Sequence, residues 1–446
     1  MAIRESDLVN KNRIEELYNY FLKHSVICTD TRDIKQGAIF FALKGENFNA
    51  NKFAEQALAA GCSLAVIDEP GYKKDDRYFV VNDVLSTLQA LANYHRKQLS
   101  IPVIAITGTN GKTTSKELLN AVLSQKYEVL ATKGNLNNHI GVPLTLLNIT
   151  KEHEMAIIEM GANHQGEIAL LCSIAEPDFG MITNIGKAHL DGFGGYEGVI
   201  KAKSELYHFI HKMGGILFVN AENALLQKLS EGMNKITFGT SPDVDFTGVF
   251  IEGNPFVKLR FKAKEDTQQL EEKPIITTQL IGNYNFENIL AAACIGHYFR
   301  VSEKQIEHGL ESYVPSNNRS QVMKTPDNLL LLDAYNANPS SMNAAIENFT
   351  NMNQPNKMVI LGDMLELGVD SEKEHDTIVQ LLQKNKIEKV ILVGPFFMKS
   401  GKLINAISFS TSGEALDYLK QHPVKGATVL IKGSRGIKLE KIVEAL

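Results

Sequence analysis

The feature that most constrains this chain is the run Ile104-Ala105-Ile106-Thr107-Gly108-Thr109-Asn110-Gly111-Lys112-Thr113-Thr114, in which an apolar strand pattern feeds a glycine turn ending in Lys-Thr-Thr. Such a run reads as strand, tight turn and helix start, and so predicts a parallel sheet covered by helices. Gly108 and Gly111 let the backbone turn so that successive N–H groups and the helix N-terminus face an anion. Lys112 then reaches the β/γ-phosphates of a nucleotide, and the Thr113 hydroxyl holds Mg²⁺, with Thr109, Asn110 and Thr114 in the same turn. The generic pattern G-x-x-x-x-G-K-[ST] asks for glycine where this chain has Ile106. The strand and helix context still favours a phosphate cradle over a chance Gly-Lys-Thr.

A chain of 446 residues is too long for one core. At about 100 to 200 residues per domain we expect three domains. With 44% hydrophobic and 22% charged residues, neither a disordered nor a collagen-like chain is indicated. The net charge of −5 and the lack of a long basic run give no reason to expect nucleic acid as a partner. Cys28, Cys62, Cys172 and Cys294 show no C-x-x-C spacing, so they fit small buried residues in a reducing compartment. Met1-Ala2-Ile3-Arg4-Glu5-Ser6-Asp7 has no leader pattern, and no apolar stretch approaches the roughly 18 residues of a membrane span. A soluble, cytoplasmic monomer without membrane insertion is expected.

Residues 1–98 hold short apolar runs, Ala38–Leu43 and Leu64–Ile67, with helical stretches near Phe53–Ala60 and Val84–Gln98, and read as a small α/β domain. Residues 99–314 alternate apolar strands with helices: Ile101–Thr107, Met155–Met160, Phe179–Ile185 and Ile216–Asn220. This is the pattern of a central, doubly wound, P-loop ATPase-like sheet, whose ligands sit at the carboxyl ends of its strands. From Lys235 to Leu280 polar and apolar residues alternate, which predicts appended antiparallel strands. Residues 315–446 restart the alternation with Leu329–Leu332, Met358–Leu361, Val390–Val393 and Val429–Ile431, a Rossmann-like third domain.

Several residues stand where chemistry is expected. Glu159 ends a strand and is placed to act as a second Mg²⁺ ligand; a solvated strand-end glutamate is the plainer alternative. His189 follows a strand beside the Gly192-Phe193-Gly194-Gly195 run, a plausible functional loop. Lys203, on the helical stretch Gly198–Ile210, reads by spacing alone as a solvated lysine like Lys201. The amide-rich Gly134–Pro143 segment, with Asn137 and Asn138, either binds something polar or pins a turn. Asn285 and Asn288 lie one helical turn apart and can face one ligand, or cap the helix. Asp333, Tyr335, Asn336 and Asn338 follow an apolar strand as a candidate ribose- or phosphate-contacting loop, with Pro339 opening a helix.

Taken together, these segments resemble the Mur ligase family of ATP-dependent peptide-bond-forming enzymes over nearly the whole chain. Three stretches, Gly134–Leu147 (GNLNNHIGVPLTLL), Asp333–Met342 (DAYNANPSSM) and Gly362–Gly368 (GDMLELG), resemble the members that perform the last of four additions. A D-N-P-[RK] motif expected of the preceding step is not found. The resemblance implies that D-alanyl-D-alanine is joined to a UDP-N-acetylmuramoyl-tripeptide through an acyl phosphate, giving ADP and phosphate, in peptidoglycan precursor synthesis. It implies ATP and two Mg²⁺ ions, with Thr113 and Glu159 on the first ion and His189 and Lys203 on the second. In that scheme Lys203 is carried as a CO₂-derived carbamate, and Lys112, His189 and Lys203 are catalytic.

The same resemblance puts Asn285 and Asn288 near adenine, Asp333 on the ribose, and Tyr335, Asn336 and Asn338 near the nucleotide. Arg319, in Asn317-Asn318-Arg319-Ser320, matches a hinge arginine able to meet a phosphate when the third domain closes on the second. Asp30-Thr31-Arg32 and Lys44-Gly45-Glu46 match the segments that cradle the uridine diphosphate, with Asn137 and Asn138 also on the substrate side. Lys432-Gly433-Ser434-Arg435-Gly436 carries a lesser substrate-side role. Where the family commonly has Asp-Gly-His, this chain has Asn49-Ala50-Asn51. The alternatives are another Mur-type amide ligase, a folylpolyglutamate synthetase, or a nucleotide-binding module without catalysis.

Overall fold

Continuous apolar runs become strands buried on both faces: Leu64–Ile67, Val103–Thr107, Met155–Glu159 and Thr428–Lys432 have every residue buried. Such strands belong to parallel sheets covered by helices on each side. The computed structural model describes residues 5–316, 318–404 and 406–446, with side chains from residue 12 onward. Met1–Arg4, read above for the lack of a leader, and Asn317 and Asn405 lie outside the described residues. The chain is mixed α/β and clusters into two units, each taken by itself below.

The first unit comprises Met1–Ala105, Tyr127–Ala162 and Gly166–Gly180. After the helix Glu5–His24 comes a parallel sheet ordered Ile27–Cys28, Ile39–Phe41, Leu64–Ile67, Tyr78–Val80. Phe40, Ala54, Ala65 and Ile67 are among its core residues. The helix Val84–Lys97 starts where the Asp83 side chain accepts the Ser86 N–H and ends in His95, Arg96 and Lys97, cations placed against the negative end of its dipole. Arg96 is nevertheless buried. Its guanidinium donates to the carbonyls of Ala175 and Glu176 and to Asp178 Oδ2 at 2.9 Å, tying this helix to the end of the helix Glu167–Ala175. Val129–Ala131 pairs in parallel with Met155–Glu159, which neighbours the start of Val103–Thr107.

The second unit comprises Ile106–Lys126, Asn163–Gln165 and Met181–Leu446. Its first sheet runs Ile276–Ile281, Phe256–Ala263, Phe246–Gly253, Lys235–Gly239, Ile216–Asn220, Phe179–Ile182 and the end of Val103–Thr107. The antiparallel expectation for Lys235–Leu280 holds only from Phe246 onward. Lys235–Gly239 pairs in parallel on both sides, and its polar alternation reflects a half-exposed strand rather than its direction. Phe179 opens a strand that stops at Ile182, so Ile185 already belongs to the following loop.

In the second sheet of this unit the order is Gln321–Lys324, Leu329–Asp333, Thr428–Lys432, Lys357–Gly362, Lys389–Val393, Ile407–Phe409, parallel except for the first pair. Alternate residues go to opposite faces: Leu331, Val359, Leu361 and Leu392 enter one core, Leu330, Ile360, Ile391 and Ile431 the other. That is a doubly wound layer. Its two edge strands, Gln321–Lys324 and Ile407–Phe409, were not expected; both are short and without a buried residue, so no apolar run marks them. All four cysteines are buried and free. Among the described residues, no helix is long and apolar enough to cross a membrane.

Candidate functional site

In the second unit, the chain leaves the strand Val103–Thr107 and enters the helix Lys112–Leu123 through Gly108 (φ 144°) and Gly111 (φ 79°). Both glycines are required twice over. Their φ values strain any L side chain, and a Cβ would stand 2.0 Å from Thr183 Oγ1 at Gly108 and 2.7 Å from Asn288 Oδ1 at Gly111. Ile106 is fully buried inside the strand, so the turn begins two residues later than the generic motif has it. The loop is held from below: Thr109 N–H donates to Asn184 O at 2.9 Å, Asn110 N–H to Asn184 Oδ1 at 3.0 Å, and the Thr183 hydroxyl to Asn110 O at 2.6 Å. Lys112 Nζ donates to the carbonyls of Gly108 and Thr109 at 2.7 and 3.1 Å. Thr113 is buried at the first turn and Thr114 is half-buried.

Asn285 and Asn288 open the helix Asn285–Tyr298, yet neither caps it; Tyr284 occupies the cap position and makes no side-chain cap bond. Asn288 Nδ2 donates to Asn285 Oδ1 at 2.9 Å, and the Ser115 hydroxyl donates to Asn288 Oδ1 at 3.0 Å. Both amides are buried and converge behind Gly111. The capping alternative is thereby set aside, and the two side chains do face one place.

The strand Leu329–Asp333 ends in an acid whose Oδ2 takes Lys432 Nζ at 2.5 Å. Lys432 is itself buried and also reaches Asn336 O at 3.4 Å. Tyr335 is covered by two guanidinium groups: Arg319 lies 3.7 Å and Arg435 5.2 Å from its ring centroid, and Arg435 Nη1 donates to its hydroxyl at 3.3 Å. Asn336 Oδ1 accepts the Ala337 N–H. Asn338 caps the helix Pro339–Asn351 by accepting the Ser341 N–H at 2.9 Å. Its Nδ2 donates to Asn110 Oδ1 at 2.8 Å, while Asn110 Nδ2 donates to Ser340 Oγ at 3.0 Å. The phosphate loop and this cap therefore meet through Asn110. Ser340 was not singled out from the sequence as a site residue, and Lys432 was read only as part of the Lys432–Gly436 segment with a lesser substrate-side role, not as the partner of Asp333. For Lys432 a signal existed, a charge at the very end of an apolar strand.

His189 has a left-handed backbone (φ 50°) just before the short helix Leu190–Phe193. Its Nδ1 is buried, makes no hydrogen bond, and lies 2.5 Å from Glu366 Oε2, a close approach without hydrogen-bond direction. The ring beside it holds the Glu366 carboxyl below the usual carboxylate range. Lys203 corrects the reading by spacing. It is 3% exposed, on the face of the helix Tyr196–Met213 that also buries Val199, Leu206 and Ile210, with Nζ 5.4 Å from the Phe193 ring centroid; Lys201 is the exposed one.

The first unit holds the remaining candidates. Glu159 is 1% exposed rather than solvated: Oε1 accepts Asn137 Nδ2 at 2.8 Å, and Oε2 is buried with no hydrogen-bond partner. Asn138 Oδ1 accepts the N–H groups of Ile140 and Gly141 at the start of the helix Gly141–Leu146. Within this unit the amides therefore pin a turn and orient a carboxylate. Asp30 and Arg32 form an exposed pair at 2.6 Å that lowers the Asp30 carboxyl to about 2, with Thr31 half-buried between them. Lys44, paired with Asp68 and Glu69 at 2.9 and 3.1 Å, and Gly45 lie in a small antiparallel ribbon. The departing Asn49 and Asn51 are structural here: Asn49 bonds Glu69 at 2.9 Å and buried Asn51 bonds Asp68 at 2.8 Å.

Residues 106–296 match the Mur ligase middle domain, and residues 318–435 match the Mur ligase, glutamate ligase domain. The chain is 34% identical over 461 residues to the UDP-N-acetylmuramoyl-tripeptide–D-alanyl-D-alanine ligase of Bacillus subtilis, covering 99% of this chain and 97% of that protein. It is 35% identical over 444 residues to the ligase of the same name from Escherichia coli, covering 97% and 95%. A crystal structure of MurF from Acinetobacter baumannii superposes with a TM-score of 0.83 at 33% identity, covering 94% of this chain and 92% of that one. MurF ligase from Thermotoga maritima, in complex with ADP, gives 0.80 at 27% identity, covering 95% and 97%.

Proposed function

The chain belongs to the Mur ligase family, and we propose on that premise that it joins D-alanyl-D-alanine to a UDP-N-acetylmuramoyl-tripeptide, with ATP converted to ADP and phosphate. The terminal carboxylate of the tripeptide takes the γ-phosphoryl group, and the amine of the dipeptide attacks the resulting acyl phosphate. Phosphate leaves as the amide forms. We assign residues 1–98 to the UDP-sugar, 99–314 to ATP and 315–446 to the ligase segment, in a cytoplasmic monomer that acts in peptidoglycan precursor synthesis.

The observation that carries this reading is Asn110, which stands in the phosphate loop and bonds both Asn338 and Ser340 at the start of the ligase-segment helix. One side chain thus ties the nucleotide-binding loop to the segment matched by the glutamate ligase domain, as a two-substrate transfer requires. Negative charge accumulates at every stage, so the chain's contribution is chiefly electrostatic and positional. The N–H groups at the start of the helix Lys112–Leu123 would face the phosphates, with the Lys112 ammonium turning to them from the Gly108 and Thr109 carbonyls. Buried Asn285 and Asn288 support the adenine side, Asp333 the ribose, and Arg319 stacks on Tyr335, where Asn336 and Asn338 turn the loop.

The buried, unpartnered Oε2 of Glu159 fits a cation ligand. We propose Thr113 and Glu159 as ligands of one Mg²⁺ and His189 with carbamylated Lys203 as ligands of the other. Bound there, the ions would neutralise phosphate charge and favour in-line transfer. Burial of Lys203 supports a role other than solvation.

The test is release of ADP and phosphate from purified protein with ATP, Mg²⁺, bicarbonate, a UDP-muramoyl-tripeptide and D-alanyl-D-alanine, each omitted in turn. Release that requires both acceptor and dipeptide, with a pentapeptide product by mass, is the expected result. ATP binding without release in any combination would sink the assignment.

A further inference from the structure

Among the described residues, His189 and Glu366 share an uncommon pairing: both are non-glycine residues with left-handed backbones, φ 50° and 66°, and they face each other. Such conformations persist where surrounding structure imposes them, and they concentrate at functional sites. What imposes this one is the loop from Asp363 to Leu367. Asp363 accepts the N–H groups of Phe396 and Phe397 at 3.0 and 2.8 Å, Met364 N–H donates to His375 Nε2 at 3.0 Å, and Leu365 N–H donates to Ser434 Oγ at 3.0 Å. Asp363 and His375 are fully buried, so the loop rests on a fixed floor while the Glu366 side chain remains 60% exposed. Across from it, Lys187 approaches Glu374 at 3.6 Å, an ion pair between the same two segments.

We propose that Glu366 is a positioning residue for His189: its carboxylate takes the buried Nδ1, fixes the ring and its tautomer, and leaves Nε2 as the nitrogen offered to a divalent cation. This rests on the reading of His189 as a metal ligand. The chemistry is that of a carboxylate–histidine–metal relay, in which the outer carboxylate orients the imidazole and raises its basicity as a ligand. Nδ1 has no hydrogen bond and Glu366 Oε2 is 2.5 Å away, so a small rotation of an exposed side chain completes the bond. Because Glu366 sits in the glutamate ligase domain match and His189 in the middle domain match, the relay also makes cation affinity depend on the approach of these segments.

The experiment uses the full chain with ADP, titrated with Mn²⁺ and followed by electron paramagnetic resonance, for wild type, Glu366→Gln, Glu366→Ala, His189→Ala and the double variant. We expect Glu366→Ala to weaken one Mn²⁺ site about 10- to 100-fold, Glu366→Gln to weaken it less because the amide oxygen still accepts from Nδ1–H, and the double variant to match His189→Ala. ADP affinity and the metal-free melting temperature should stay at wild-type values, which separates positioning from folding. If His189→Ala binds Mn²⁺ like wild type, the ligand reading fails and the relay with it. If His189→Ala loses a site while both Glu366 variants bind within twofold of wild type, the relay alone is overturned.

Discussion

Asn137 and Glu159 are joined at one oxygen only: the amide donates to Oε1 at 2.8 Å and leaves Oε2 buried without a hydrogen bond. The backbone N–H of Glu159 is held separately by Thr132 Oγ1 at 2.9 Å, so the strand end cannot swing to relieve it. A buried carboxylate oxygen without a partner destabilises the fold, and the cation proposed above would offset that cost by completing its coordination.

Replacing Glu159 by Gln should therefore separate stability from activity. The Gln oxygen still accepts from Asn137, and the buried charge is gone, so the melting temperature in EDTA should equal or exceed that of wild type. Turnover should fall about 100-fold or more. Thermal unfolding in EDTA together with steady-state phosphate release measures both. A melting temperature several degrees lower would mark the carboxylate as structural.

How far the sequence foretells this site depends on what each residue does locally. Strands such as Val103–Thr107 and Thr428–Lys432 are legible because parallel strands buried on both faces read as unbroken apolar runs. The phosphate loop is legible because glycine positions report backbone geometry directly. Asn137, Asn138, Asn285 and Asn288 are conspicuous as amides, but whether an amide binds a ligand or another side chain is decided by long-range partners such as Glu159 and Ser115. Lys203 shows the same limit: a lysine on a helix reads as solvated until packing puts it beside Phe193. Glu366 lies in the Gly362–Gly368 stretch that marks the resemblance, yet the role proposed for it was not legible, since it arises from a contact 177 positions away in the chain with His189.

Asn110 and Asn338 should differ in stability yet agree in rate. Asn338→Ala removes the cap of Pro339–Asn351, a loss of about 1 kcal/mol, and also the bond to Asn110. Asn110→Ala removes the latter and the bond to Ser340 Oγ but no helix cap, leaving stability within about 0.5 kcal/mol of wild type. Both should lower kcat/KM, and the double variant should lose less than the product of the single effects, with a coupling of about 0.5–3 kcal/mol. Strict additivity in a double-mutant cycle of kcat/KM would mean that the amide bond is incidental to transfer.

Acid should weaken the fold through two histidines. Burial holds the imidazoles of His375 and His95 below the ordinary histidine range, opposed by hydrogen bonds to the carbonyls of Ser371 and Ile149. Their folded values lie below the unfolded value of about 6.5, so the unfolded chain binds more protons as pH falls through that point. Their contribution is complete above about pH 6.5 and is lost below it, by up to about 1.4 kcal/mol per pH unit for each group. Urea unfolding between pH 8 and 5 should show this slope, and His95→Gln with His375→Gln should flatten it. Stability that rises on acidification through this range would contradict the assignment.

The sharpest test of the metal-side chemistry is Lys203. Its ammonium lies 5.4 Å from the Phe193 ring centroid on a buried helix face. A carbamate formed with CO₂ would replace that cation by an anionic oxygen ligand, and the two accounts diverge under substitution. If the lysine is structural, whatever activity Lys203→Met and Lys203→Ala keep is indifferent to added anions and to CO₂. If it carries a carbamate, Lys203→Ala and Lys203→Met both abolish turnover, and millimolar formate or acetate restores part of it in the smaller variant, where space is left for the anion. Wild type should slow when CO₂ and bicarbonate are stripped, recover on their return, and show a ¹³C carbamate signal with labelled CO₂. Wild-type-like rates in Lys203→Ala, or a wild-type enzyme indifferent to CO₂ depletion, would remove the carbamate from the mechanism.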